Sequence, residues 1–174
     1  VVVFIQDIRA DFTANNVKPC LEDLVTFADA SDFAIAWDWN FFNGIISSAK
    51  NPRTQYGTPG LYDVQLTVRD SDGCSDTKLV EDFINVLNVR GNFDFFAEST
   101  CDKLTVEFAD RSSATPALTG WLWQFGDGAV SSEQHPSHTY TSLGNYSIRV
   151  TLTNSEGSCD ILRDEAIKFS NPVL

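Results

Sequence analysis

The sequence predicts an all-β chain of two tandem antiparallel β-sandwiches, about seven strands in each. Three observations carry this expectation. First, apolar residues alternate in LYDVQLTV (61–68) and NYSIRVTL (145–152), which puts Tyr62, Val64, Leu66 and Val68 on one strand face. Second, the turn signals NG, TPG, SDG, GDG, LGN and SEG recur between such runs, and no helical period is sustained. Third, the chain repeats itself.

Setting WDWNFFNGIISS (37–48) on WLWQFGDGAVSS (121–132) gives an offset of 84 residues. The same offset carries Pro52 onto Pro136, Tyr56 onto Tyr140, Gly60 onto Gly144, Tyr62 onto Tyr146, Thr67 onto Thr151 and Gly73 onto Gly157. Upstream, FADAS (27–31) matches FADRS (108–112), and DFTA (11–14) matches DFFA (94–97), at offsets of 81 and 83. The expected boundaries are 8–87 for the first unit and 91–169 for the second, with 88–90 a short linker. Residues 1–7 read as the end of a preceding copy or a linker, because VVVF aligns with 84–87, and 170–174 read as a joint to a following domain.

Within each unit the elements follow in order. LVTFA (24–28) and LTVEFA (104–109) are rich in β-branched and aromatic residues and read as strands. The next strand alternates, so Trp37, Trp39 and Phe41 share one face, as do Trp121, Trp123 and Phe125, which is the pattern of a core. Gly126-Asp127-Gly128 then raises the question of a phosphate loop. Such a loop needs a helix after its glycines, to turn backbone N–H groups on the anion. Here AVSSEQHPSHTY follows, and the first unit has Phe42-Asn43-Gly44 in the same slot. Asn-Gly is a strong hairpin signal, so the slot is a turn.

Composition narrows the function. The chain has 174 residues, of which 43% are hydrophobic and 13 are Phe, enough for packed cores. Its net charge of −12 argues against a nucleic-acid partner, and no apolar run reaches the length of a membrane span. No Gly-x-Ser-x-Gly elbow is present, and no carboxylate pair stands out by its surroundings, so the segment reads as non-catalytic. His135 and His138 lie close together in HPSH, but the first unit has Asn51 and Thr54 there, so the positions do not require imidazole. The sequon at Asn145 lies within a strand, has no counterpart in the first unit, and carries no reading.

Calcium is the one cofactor for which candidates exist, and none is required. The oxygen-rich turns ADASD (28–32), RDSDG (69–73) and FGDG (125–128) lack EF-hand spacing, but a sandwich gathers ligands from separate loops. Asp29, Asp110 and Asp127 are the candidate ligands, although such residues are also ordinary in turns. Phe42 replaces Gly126, points off the tryptophan face and is the candidate ligand contact.

Cys20 aligns with Cys101, and Cys74 lies within one residue of the position of Cys159. Four cysteines allow three pairings, and equivalence of the units favours Cys20–Cys74 with Cys101–Cys159. Zinc spacing is lacking, so disulfides and an oxidising compartment are expected.

The second unit resembles the PKD (polycystic kidney disease) repeat, whose pattern falls on Trp123, Phe125, Gly126, Asp127, Gly128, Pro136, His138, Tyr140, Gly144, Tyr146, Ile148, Thr151, Asn154 and Gly157. The first unit keeps Trp39, Phe41, Gly44, Asn51, Pro52, Tyr56, Gly60, Tyr62, Thr67 and Gly73, and departs at Phe42, Asn43 and Thr54. The resemblance implies an immunoglobulin-like, non-catalytic extracellular module, strung in arrays on cell-surface proteins or set beside catalytic domains of secreted hydrolases. The cysteine placement is similar to that of arrays in surface proteins of Bacteroidetes-type bacteria, including adhesins used in gliding motility. Some relatives in bacterial collagenases bind Ca²⁺. The implied role is a semi-rigid spacer or stalk in adhesion, with an accessory carbohydrate- or protein-binding module of a secreted hydrolase as the alternative. Implied partners are neighbouring repeats of the same chain and surface polysaccharide or extracellular protein.

Overall fold

The structure is a computed structural model that describes residues 7–100 and 102–170. The readings placed on residues 1–6, on Cys101 and on 171–174 lie outside the described residues. Every regular element among the described residues is a strand, and no helix there is long and apolar enough to cross a membrane. The chain divides into two compact units between Asn88 and Val89.

The first unit contains β1 (Phe12–Ala14), β2 (Val25–Asp29), β3 (Ala36–Asn40), β4 (Ile46–Ser47), β5 (Arg53–Thr54), β6 (Gly60–Arg69) and β7 (Ser75–Val86). They form two sheets, ordered β1-β2-β5 and β4-β3-β6-β7. Along the second unit run β8 (Asn88–Arg90), β9 (Phe93–Ser99), β10 (Leu104–Asp110), β11 (Ser113–Thr115), β12 (Gly120–Gln124), β13 (Val130–Ser131), β14 (Ser137–Tyr140), β15 (Gly144–Thr153) and β16 (Ser158–Phe169). Its sheets are β14-β10-β9 and β13-β12-β15-β16, with a short β11-β8 pair beside them. Pairing within the four main sheets is antiparallel, as the alternating sequence requires.

Alternation decides what is inside. Val64, Leu66 and Val68 of β6 are fully buried, and so are Ile148, Val150 and Leu152 of β15. A tryptophan centres each core. Trp39 meets Phe12 at 5.4 Å and Phe41 at 5.9 Å between ring centres, and Trp123 meets Phe93 at 5.2 Å and Phe108 at 5.5 Å. A buried indole needs an acceptor for its N–H. Trp39 Nε1 donates to Ala49 O and Trp123 Nε1 to Glu133 O, each at 2.9 Å.

The strand register corrects the upstream repeat alignment. Phe12 pairs with Asp29, and Phe93 pairs with Asp110, the counterpart of Asp29. Phe12 therefore stands on Phe93, and the DFTA/DFFA match is two residues out of step. A slip of two leaves the inside–outside alternation intact, so periodicity alone could not expose it. Phe93 is buried, whereas Phe95 and Phe96 are 40% and 62% exposed on β9.

The cysteine pairing is also corrected. Cys20 and Cys159 are each disulfide-bonded, and Cys74 is a free, exposed thiol. The expected Cys20–Cys74 pair therefore does not form, and the expected Cys101–Cys159 pair involves Cys101, which lies outside the described residues. The reason within the first unit is distance. Pro19 O accepts a hydrogen bond from Leu87 N, so Cys20 lies beside the end of β7, while Cys74 immediately precedes its first residue. The 12 residues of β7 separate those ends. At about 3.3 Å per residue that is roughly 40 Å, against about 6 Å between the Cα atoms of a disulfide.

Trp39→Ala and Trp123→Ala should each destabilise the protein by about 3–5 kcal/mol. Urea unfolding followed by circular dichroism reads this, and a change near zero in either would show that its indole is not the centre of a core.

Candidate functional site

The family-like residues gather at the hairpin after β3 and after β12, and the two copies build it in the same way. Phe41 N donates to Ile45 O at 3.3 Å, and Phe125 N to Ala129 O at 3.1 Å. Asn43 Oδ1 accepts from Ile45 N and Asp127 Oδ1 from Ala129 N, each at 3.0 Å, so one side-chain oxygen braces each turn. Gly44 and Gly128 take φ of 87° and 96°, where a side chain is strained.

The other half of each turn side chain ties the hairpin to the facing sheet. In the second unit Asp127 Oδ2 accepts from His138 Nε2 at 2.7 Å. The His138 ring lies flat on Phe125, 4.3 Å between centres, and edge-on to Tyr140, whose hydroxyl donates to Phe125 O at 2.9 Å. Burial alone would raise the Asp127 pKa, but the hydrogen bonds from His138 and from Ala129 N outweigh it and hold the carboxyl below its ordinary value. In the first unit Asn43 Nδ2 donates to Thr54 Oγ1 at 3.1 Å and to Gln55 O at 3.0 Å. Asp127–His138 and Asn43–Thr54 are two chemical solutions to one fastening.

Phe42 carries its side chain outward at 47% exposure, with φ of 52°. Its counterpart Gly126 cannot do so, because a Cβ there would come within 2.7 Å of Ser147 O. The β4 side of the same sheet forms a groove of about 420 Å³ lined by Asp38, Trp39, Ile46, Gln65 and Thr67.

Asp29 and Asp110 occupy a second shared position. Asp110 is buried; its Oδ1 accepts from Ser112 N, and its Oδ2 accepts from Trp121 Nε1 at 2.9 Å and Gln134 Nε2 at 3.1 Å. Desolvation would raise its pKa, yet the Ser112, Gln134 and Trp121 donors bring it below the ordinary value. Asp29 Oδ1 accepts from Ser31 N at 3.0 Å, and Lys50 Nζ approaches its other oxygen at 3.8 Å. The preceding backbone donors are matched too: Asp110 N donates to His135 Nδ1 and Asp29 N to Asn51 Oδ1. Both HPSH histidines thus take hydrogen bonds that Asn51 and Thr54 take in the first unit. Among the described residues no group of three His, Cys, Asp or Glu is arranged to hold a metal ion. Asp29 and Asp110 end β2 and β10, Asp127 lies in the turn between β12 and β13, and each accepts hydrogen bonds from the protein itself.

The sequence reading missed one surface. Phe95 and Phe96, with Asp94, Glu107, Arg111 and His135, line a groove of about 490 Å³ along β9 and β10 that reaches core Phe108. The two-residue slip hid it by placing Phe95 on the core residue Phe12.

Comparison with known proteins finds the same two units. A family model described as the PKD domain matches residues 10–86 and again 93–167. A microbial collagenase of Vibrio alginolyticus is 38% identical over 55 residues, which are 30% of this chain and 7% of that protein. The pre-pro-metalloprotease PrtV of Vibrio cholerae serotype O1 is 36% identical over 55 residues, 32% of this chain and 6% of that protein. The chain therefore spans only a small part of the curated relatives it matches. Among solved structures, the PKD1 domain of Vibrio anguillarum Epp is 28% identical, with a TM-score of 0.40, covering 47% of this chain and 96% of that one.

Two outcomes test the fastening. Asp127→Asn and His138→Thr should each destabilise the protein, and the double variant, which installs the first unit's pair, should be more stable than the sum of the two losses by about 0.5–3 kcal/mol. Additive losses in urea unfolding would mean that the pair does not act as one fastening. Because the folded-state pKa of Asp127 is depressed, its stabilisation is present above the unfolded value of about 3.9 and is lost as pH falls through the folded value. The unfolding midpoint of Asp127→Asn should accordingly drop less than that of the parent between neutral pH and about pH 3.

Proposed function

The chain belongs to the PKD domain family, as two tandem copies, and from that premise we propose that it is a non-catalytic extracellular segment of a longer protein. It acts as a semi-rigid spacer that holds other parts of that protein apart, in an adhesive surface protein or beside a secreted enzyme. The observation that carries this reading is where the motif side chains go. Trp39, Trp123, Asp110, Asp127, His135, His138 and Tyr140 all direct their polar groups at backbone or side chains of their own unit. A hydrolytic site would instead turn such groups on a cleft where a reacting atom can sit. The collagenase and metalloprotease that the chain resembles support an extracellular setting, as do the disulfide and the acidic surface.

A second reading has its own observation. Phe96 and Phe42 are large, exposed and on separate units, and the β9–β10 groove joins aromatic faces to Arg111, Asp94 and His135. Aromatic faces flanked by hydrogen-bonding side chains suit a sugar ring or an extended protein segment. On this reading the chain is an accessory binding module.

Retention of the purified chain on immobilised polysaccharides and on collagen separates the two. The spacer predicts elution in the void on every surface. Specific retention abolished by Phe96→Ala or Phe42→Ala would replace it with the binding module and locate the face.

A further inference from the structure

One side of the second unit is open where the first unit closes it. Phe12 and Asp29 pair across β1 and β2 as Phe93 and Asp110 pair across β9 and β10, and the two pairs are equally far apart in sequence. In the first unit β1 stops at Ala14 and the chain crosses to the other sheet, where Val17 O and Pro19 O accept from Asn85 N and Leu87 N. In the second unit β9 does not cross. It runs on along β10 to Ser99 in unbroken register. Phe95 and Ala97, whose partners Phe108 and Val106 are buried, face the core side of their sheet and yet stay exposed.

The backbone of β9 is open as well. Arg111 N donates to Asn92 O and Thr100 N to Lys103 O, so the even-numbered residues of the strand bond to β10. In an antiparallel ladder these alternate with residues whose N–H and C=O point the other way. Those of Phe95 and Ala97 therefore point off the free edge of the β14-β10-β9 sheet. The other strand edges among the described residues carry protection against added strands. β1, β4, β5, β8, β11, β13 and β14 have two to four residues each, and β7 and β16 break register at a bulge. β9 has seven residues, no proline and no bulge.

Charge selects the partner. On its outer face β9 presents Asp94, Phe96 and Glu98, and Glu107 of β10 lies opposite Phe96. Arg111 pairs with Asp94 at 3.1 Å, while Glu98 and Glu107 enter no ion pair among the described residues. With no basic residue in β9, a second copy paired edge to edge would bring only like charges together. We propose that the free edge of β9 takes up an extended segment of another protein as an added strand, one that carries Lys or Arg on both sides of an apolar residue along one face. Its backbone bonds to Phe95 and Ala97, its apolar residue lies beside Phe96, and its cations meet the acidic patch of Asp94, Glu98 and Glu107. This rests on the binding-module reading and narrows it to a basic, extended polypeptide.

The probe is a fluorescein-labelled peptide with Lys-Val-Val-Val-Lys at its centre, titrated with the full chain and followed by anisotropy. Saturable binding is expected, weakened by added salt and by Glu98→Lys. Only alternate N–H groups of an added strand face β9. N-methylation of the second and fourth central residues, or else of the third, should therefore weaken binding about tenfold or more, while the other pattern leaves it unchanged. Ala97→Pro removes a donor that points off the sheet and should abolish binding with near-ultraviolet circular dichroism unchanged, because a free edge tolerates proline. The methylated peptides leave the protein untouched, so they decide the matter if Ala97→Pro does not fold. No binding up to about 1 mM peptide, equal effects of the two methylation patterns, or binding that survives Ala97→Pro in the folded chain would each overturn the proposal. Self-association of the chain that Ala97→Pro abolishes would overturn it in favour of a second copy. Retention on polysaccharide that Phe96→Ala abolishes, without peptide binding, would overturn it while leaving the binding-module reading standing.

Discussion

Each unit depends on one hydrogen bond from a buried core indole to the backbone of the loop that follows its hairpin. Trp39 and Trp123 supply large apolar bodies around which the phenylalanines of both sheets pack. Their N–H groups would be costly to bury unpaired. The acceptors, Ala49 O and Glu133 O, lie ten residues further along the chain, just past β4 and β13. Satisfying the indole therefore fixes where the hairpin returns, and that return delivers Pro52 and Pro136 to the opposite sheet. There, Pro52 O accepts from Phe27 N and Pro136 O from Phe108 N. One side chain thus organises both sheets and the passage between them.

The two copies show which parts of the motif are constrained by geometry and which by chemistry. Glycine at positions 44 and 128 answers a backbone requirement. The tie between hairpin and facing sheet is looser: an amide with a hydroxyl closes it in one copy, and a carboxylate with an imidazole in the other. The carboxylate–imidazole version gains from the ring of Phe125 beneath the imidazole, at the cost of a dependence on acid through Asp127. The same exchange appears at Asn51 and His135, each accepting from the backbone N–H of an aspartate. An amide oxygen and an imidazole nitrogen are interchangeable there because only an acceptor is needed.

Much of this was legible in the sequence. Alternation in 61–68 and 145–152 gave the buried faces of β6 and β15, and the repeat offset gave the equivalent hairpins. The reading of Phe42 as outward-facing holds, since its side chain is exposed while Trp39 and Phe41 are buried. Two features were not legible. The start of β9 was misplaced because a shift of two preserves alternation, and only the pairing of Phe93 with Asp110 reveals it. The cysteine pairing was misjudged because equivalence of copies constrains which cysteines resemble each other, not which ones meet. The length of β7, which separates Cys20 from Cys74, becomes visible only once the strand's ends are placed.

The close approach of Gly126 to the backbone of Ser147 has a consequence for exchanging parts between the copies. A Cβ at 126 would meet Ser147 O at 2.7 Å and Ser147 N at 3.1 Å, so Ser147 would have to retreat before any side chain could stand there. The aromatic that the first copy displays at Phe42 is therefore not portable to the second. The repeats share a plan, but they are not spare parts for each other.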